Sequence, residues 1–195
     1  MPPPSKNQLR IIAGSHRSRL IRFPEAARLP GFRPTPDRVR ETLFNWLGQE
    51  LTGLVCLDLF AGSGALAFEA ASRGAARVVA VERERAAVLA LKRNREQLGL
   101  SAVAVYHADA FAWLATSGEC FDVVFLDPPF ASDPWQALAR SLPARLTPGA
   151  RVYCESAKPL SAFGGLRLNR QGRAGLVHYH LFVHDLEAHS PPQDA

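Results

Sequence analysis

Asp58-Leu59-Phe60-Ala61-Gly62-Ser63-Gly64 follows directly on the apolar run Val55-Cys56-Leu57. A continuous apolar run carrying one acid suits a parallel strand buried on both faces. Gly62 and Gly64 allow a tight turn and a close approach of the backbone to a ligand. Residues 65–73 then read as a helix whose first N–H groups are free. Downstream the same unit recurs. Residues 77–81 are a strand ending at Glu82, and 85–98 a helix stopped by Gly99. Residues 103–106 are a strand with Asp109 just beyond, and 111–115 a short helix. Residues 121–126 are a strand ending at Asp127-Pro128-Pro129-Phe130, followed by a helix at 134–142 and a strand at 151–154. The last two strands, 166–169 and 176–183, have no helix between them and read as an antiparallel pair. This alternation predicts an α/β fold: a mostly parallel seven-stranded sheet with helices on both faces.

Upstream the texture differs. Residues 9–13 and 20–23 are short strand-like runs around the turn Gly14-Ser15-His16-Arg17-Ser18. They predict a small N-terminal β-hairpin carrying Arg10, Arg17, Arg19 and Arg22. A Pro-broken stretch, 24–36, leads to a helix opening at Asp37, with Val39, Leu43, Trp46 and Leu47 on one face. Gly48 and Gly53 bracket its end. The expected division is a disordered tail (1–8), a basic hairpin and helix (9–50), the α/β domain (51–187) and a second disordered tail (188–195).

Charge supports a polyanionic partner. Residues 1–50 hold nine Lys/Arg against four Asp/Glu, whereas the rest of the chain holds fourteen of each, so the net +5 lies in the leading segment. A neutral body with a basic leading segment points to nucleic acid met through that segment. No apolar run is long enough to cross a membrane, and the first residues lack the apolar core of a signal peptide. Cys56, Cys120 and Cys154 show no metal or redox spacing and read as buried or half-buried thiols in a reducing cytoplasm. The six histidines form no metal set; His178 and His180 alternate on a strand and read as structural or exposed. A monomer is the expected state.

In open α/β sheets, ligands sit at the C-terminal ends of the strands. Glu82, Asp109, Asp127 and the glycine loop should therefore line one crevice. With Ala67 in its last place, the loop also fits a dinucleotide fingerprint. Asp58, however, would repel a pyrophosphate and favour a cationic ligand such as the ammonium and sulfonium of S-adenosylmethionine. Glu82 is placed to accept ribose hydroxyls, a role that suits either cofactor. Asp109 would accept from an adenine amine or cap the next helix. Phe60 and Ala110 complete this cofactor-facing set.

The tetrapeptide Asp127-Pro128-Pro129-Phe130 suggests a reaction. Two prolines fix the backbone and hold a carbonyl and a carboxylate rigidly. An exocyclic base amine is a poor nucleophile, because its lone pair is delocalised into the ring. The Asp127 carboxylate and the Pro128 carbonyl would grip its hydrogens and turn the lone pair towards a methyl donor, with Phe130 stacked on the base.

Together, DLFAGSG, the strand-end Glu82 and DPPF resemble class I amino-methyltransferases of nucleic acids, which have a Rossmann-like fold. RIIAGSHRSRLIRFP followed by RPTPDRVRETLFNWL resembles more narrowly the bacterial small-subunit rRNA guanine-N2 methyltransferase family, over about residues 9–183. The resemblance implies guanine 966 of 16S rRNA as target, in the 30S subunit or its assembly intermediate. It also implies the class I strand order. Arg33, Thr35, Arg38 and Glu41 would lie beside the cofactor's methionine end; Thr35, Arg38 and Glu41 are assigned to the cofactor, and Arg33 to RNA with the hairpin arginines. The alternatives are an adenine-N6 methyltransferase on DNA or RNA, a non-catalytic RNA-binding assembly factor on the same fold, and an NAD-linked oxidoreductase.

Overall fold

The computed structural model describes residues 7–23, 37–129 and 133–185. The Pro-broken stretch 24–36, with Arg33 and Thr35, lies outside the described residues, as do Phe130 and most of both expected tails.

The elements are β1 (Gln8–Arg10), β2 (Leu20–Arg22), α1 (Asp37–Leu47), β3 (Val55–Asp58), α2 (Ala65–Ser72), β4 (Arg77–Glu82), α3 (Arg85–Leu98), β5 (Val103–His107), α4 (Ala110–Thr116), β6 (Phe121–Leu126), α5 (Trp135–Ser141), β7 (Leu146–Ser156), β8 (Arg167–Ala174) and β9 (Val177–Val183). β1 and β2 form the expected antiparallel hairpin. The other seven strands make one sheet, ordered β5-β4-β3-β6-β7-β9-β8. β3 to β7 run parallel, and β9 lies antiparallel to both β7 and β8.

Strand residues alternate between two cores. Cys56, Val78, Ala80, Val123, Phe125, Tyr153 and Leu181 pack with α1, α2, Leu91 of α3 and the hairpin. Leu57, Val79, Val81, Val124, Leu126, Val152, Cys154 and Phe182 pack on the opposite face, with α4 and α5. The two-residue period of a strand sends successive side chains to opposite faces, so both faces demand apolar residues and the central strands read as continuous apolar runs. α3 ends where expected: Gly99 is left-handed (φ 67°), and its neighbour Leu100 donates to the Arg95 carbonyl.

Two strands are longer than their apolar patterns suggest. β7 begins at Leu146 rather than 151, and its pairing with β6 shifts between Phe121 and Val123. Pro148 and a left-handed Gly149 (φ 77°) obscure that first half. β8 runs from Arg167 to Ala174, and much of its polar sequence is exposed. It is an edge strand, where charged residues discourage pairing with other chains. On α1, Arg40 and Phe44 join Val39, Leu43 and Leu47 as buried residues. Trp46, expected on that face, is only half-buried and packs against Tyr179 with ring centroids 5.4 Å apart and planes tilted by 37°. Cys120, expected to be at least half-buried, is exposed in the turn before β6, whereas Cys56 and Cys154 are buried.

The hairpin is seated on the sheet's helix layer. Ile11 and Ile21 are fully buried in the shared core. The N–H groups of Ile12 and Ala13 donate to Glu69 of α2 at 2.8 and 3.0 Å. At the turn, Ser15 N–H donates to the Ser72 carbonyl at 2.8 Å. Gly14 is required there: its φ is +78°, and a Cβ would stand 1.9 Å from that same oxygen.

Candidate active site

The loop between β3 and α2 is strapped to the ends of its neighbouring strands. Leu59 N–H donates to the Phe125 carbonyl at 3.2 Å and Ala61 N–H to the Val81 carbonyl at 2.9 Å. Gly62 (φ 49°) donates to Glu82 Oε2 at 2.8 Å. Gly64 (φ 80°) has no room for a side chain, because a Cβ would lie 2.4 Å from Leu91 Cδ2 and 2.6 Å from the Phe68 ring. The two glycines thus serve different ends. Gly62 aims its amide at a strand-end acid, and Gly64 lets α2 start against α3.

Asp58 is buried at 2% exposure, and its Oδ2 accepts from Ala67 N–H at 3.1 Å, in the first turn of α2. Burial, with the Glu82 charge adding to it, pushes its carboxyl up to about 7 against the bond from Ala67. Glu82 is half-buried, and its Oε1 accepts from Glu84 N–H at 2.7 Å. Both its oxygens are therefore oriented by backbone, while a carboxylate retains further lone pairs for hydroxyl donors. Asp109 caps α4, with Oδ1 accepting from Phe111 N–H at 2.9 Å and Ala112 N–H at 3.1 Å. Of the two roles open to it from sequence, this geometry realises the cap, and neither bond uses Oδ2. Ala110 is buried behind it, and Phe60 is half-buried against the α4 and α5 core.

Asp127 follows β6, the strand next to β3, and is half-buried. Its carboxyl is raised well above the usual range by loss of water, then by the Glu155 and Asp58 charges. Pro128 is buried and Pro129 exposed. Glu155, which the reading of strand-end acids missed, ends the matching stretch of β7. It is 4% exposed, and the Tyr153 phenol donates to its Oε1 at 2.9 Å. Burial and that neighbouring carboxylate hold the Tyr153 phenol well above its ordinary range. The signal was available: Glu155 directly follows the apolar run ending at Cys154, as Asp127 follows Leu126.

Parity explains the convergence. Asp58, Glu82, Asp127 and Glu155 each come two residues after Cys56, Ala80, Phe125 and Tyr153, all in the α1–α2 core. Four acids therefore meet on one face, at the C-terminal ends of four adjacent parallel strands. A row of carboxylates suits a cation, and it opposes the phosphates of a dinucleotide.

The remaining expected residues are more dispersed. Arg38 and Glu41 are exposed on α1, and among the described residues no hydrogen bond joins either side chain to this row. Arg17, Arg19 and Arg22 are exposed on the hairpin, and Arg10 is half-buried. His180, by contrast, is buried, and its Nε2 accepts from Leu160 N–H at 3.1 Å.

Comparison with known proteins agrees with this architecture. A family model described as "Conserved hypothetical protein 95" matches residues 9–183. The ribosomal RNA small subunit methyltransferase D of Escherichia coli K12 is 38% identical over 192 residues, covering 94% of this chain and 93% of that protein. The protein of the same name from Haemophilus influenzae is 38% identical, covering 92% of this chain and 96% of its own length. The solved structure of Escherichia coli yhhF superposes with a TM-score of 0.80 at 39% identity, over 91% of this chain and 98% of that one. The fold is that of the class I methyltransferases, and the chain belongs to the ribosomal RNA small subunit methyltransferase D family.

Proposed function

We propose that this chain methylates the exocyclic N2 amine of a guanine in small-subunit rRNA, guanine 966 of 16S rRNA in the standard numbering. Membership of the family makes it an S-adenosylmethionine-dependent rRNA methyltransferase. The base, the atom and the particle are the proposed part. The observation that carries the reading is the placement of Asp127-Pro128 at the end of β6, beside the Asp58 loop at the end of β3.

When bound, S-adenosylmethionine supplies an electrophilic methyl on a positively charged sulfur. Asp58 offers the negative charge that such a cation needs, and Glu82 the acceptors for ribose hydroxyls. Asp127 and the Pro128 carbonyl accept the two hydrogens of the amine, so that its lone pair points out of the base plane. A bound cofactor would supply its methyl to that lone pair and leave as a neutral thioether. The surplus amine proton passes to Asp127. Phe130 is proposed as the stacking partner of the base, and Thr35, Arg38 and Glu41 as contacts for the cofactor's methionine end. The hairpin arginines, with Arg33, would hold RNA phosphates while the guanine is splayed out. The substrate is proposed to be the 30S subunit or its assembly intermediate, met by a cytoplasmic monomer.

The test is methyl transfer from labelled cofactor to 30S particles lacking the modification, followed by nuclease digestion. N2-methylguanosine at one site is the expected product. N6-methyladenosine, or no transfer despite bound cofactor, would overturn the reading.

A further inference from the structure

Within the neutral body of the chain the charges are segregated. Residues 157–184 hold Lys158, Arg167, Arg170 and Arg173 and no Asp or Glu. Arg167 is paired with Asp185, its Nε 2.6 Å from Oδ2. Arg170 and Arg173 are exposed on β8, and neither β8 nor β9 carries an acid. These two strands are joined by the two-residue loop Gly175-Leu176. Gly175 has φ 60°, the left-handed value that the first position of such a tight hairpin turn needs. Arg173 braces the turn, its Nε donating to the Gly175 carbonyl at 2.8 Å. At the apex Leu176 is 78% exposed. A single exposed leucine is ordinary on a protein surface; the place of this one is not.

Strand register puts the tip at the catalytic end of the sheet. Leu126 is the partner of Cys154, so Asp127 is level with the next residue of β7, Glu155, which pairs with Tyr179 of β9. Leu176 lies three residues beyond Tyr179 in that direction, and β9 is two strands from β6. At strand spacings, the tip stands roughly 10 Å beyond the row of acids and roughly 10 Å to the side of Asp127. A nucleotide adjoining one whose base is held at Asp127 comes within reach of it. Lys158 is exposed on the same rim, two residues past Ser156, the partner of His178.

We propose that Leu176 is an apolar wedge: it enters the rRNA base stack beside the target and fills the place left by the splayed guanine, with Arg173 and Lys158 on the flanking phosphates. This rests on the guanine reading above. A base drawn out of its stack leaves the faces of its neighbours open to water. An aliphatic side chain inserted there covers them and offsets the cost of unstacking. The tight turn holds the leucine in place before RNA arrives, and the cations beside it suit phosphates.

The experiment measures single-turnover transfer to saturating 30S particles that lack the modification. Leu176→Ser is expected to slow transfer by about tenfold or more, because binding energy used to distort a substrate appears in the rate. Affinity for the particle should change by less than about threefold. Cofactor affinity and thermal stability should stay at wild-type values, since the side chain is almost wholly in solvent. Leu176→Met, which keeps an apolar tip, should retain most of the rate. In particles whose target is flanked by uridines, which stack weakly, the Leu176→Ser deficit should shrink to within about threefold. An unchanged rate in Leu176→Ser overturns the wedge. A loss that lies wholly in particle affinity also overturns it, and means that the tip only docks on RNA or ribosomal protein. Either result leaves the guanine reading standing, which falls only if the wild type makes no N2-methylguanosine.

Discussion

Arg40 Nη1 lies 3.6 Å from Glu69 Oε2, with neither side chain exposed. The pair joins α1 to α2, and through it the hairpin: Glu69 accepts from Ile12 and Ala13, and Arg40 Nη2 donates to the Arg10 carbonyl at 2.9 Å. Arg73, 2.8 Å from Glu69 Oε1, adds a second guanidinium that also lies over the Phe44 ring. Removing Glu69 takes the paired carboxylate from buried Arg73 and leaves buried Arg40 only the exposed Asp37, 2.7 Å from its Nη2. Glu69→Ala is expected to lower unfolding free energy by about 3–5 kcal/mol. Chemical denaturation would measure this, and hydrogen exchange should show faster loss of the Ile12 and Ala13 amides. A loss below about 1 kcal/mol, the scale of an exposed pair, would mean the network holds nothing together.

The raised carboxyl of Asp58 predicts a pH dependence with a definite sign. Its folded value, about 7, exceeds the ordinary 3.8, so the folded state binds the proton more tightly. That contribution is fully present below about 4 and is lost as pH rises through 7. The cofactor-free protein should therefore lose stability between pH 4 and 7, and Asp58→Asn should flatten the profile. A cation needs the ionised form, so cofactor binding shows the opposite trend. Affinity for S-adenosylmethionine, relative to the neutral S-adenosylhomocysteine, should rise between pH 6 and 8 in calorimetric titrations. A flat ratio would remove Asp58 from the cofactor's charged end.

Asp127 is expected to act on the amine and not on cofactor affinity. Asp127→Ala should lower kcat by about 10²–10³, the usual cost of removing one preorganised polar group from a reacting centre. Cofactor affinity should change by less than about threefold, well under 1 kcal/mol. Single-turnover transfer and equilibrium binding, measured on the same sample, separate the two effects. Transfer near the wild-type rate would refute this role.

Arg17 and Arg19 are exposed at the hairpin turn. Replacing both with Glu should weaken RNA binding while leaving cofactor affinity intact. If each neutralises one phosphate, the slope of log affinity against log salt should become shallower by about 1–2. Equal losses of RNA and cofactor binding would indicate a disturbed fold, since the turn is also bonded to Ser72.

Local signals in the sequence carried the strand and helix order, the positions of Gly62, Gly64 and Gly99, and the acids Asp58, Glu82 and Asp127. Each depends on a period, a turn residue or a tetrapeptide only a few residues long. The resemblance of the leading segment to a known family carried the substrate expectation, which composition alone would have left at nucleic acid. What the tertiary structure decided involves partners far apart in sequence. Glu69 lies in the middle of an apolar helix; beside the local pair with Arg73, its burial is supported by Arg40 and the hairpin amides, which are far from it in sequence. Glu155 became a neighbour of Asp127 through the register of β6 on β7. That register is set by packing on both sheet faces across a bulge, and no short window of sequence contains it.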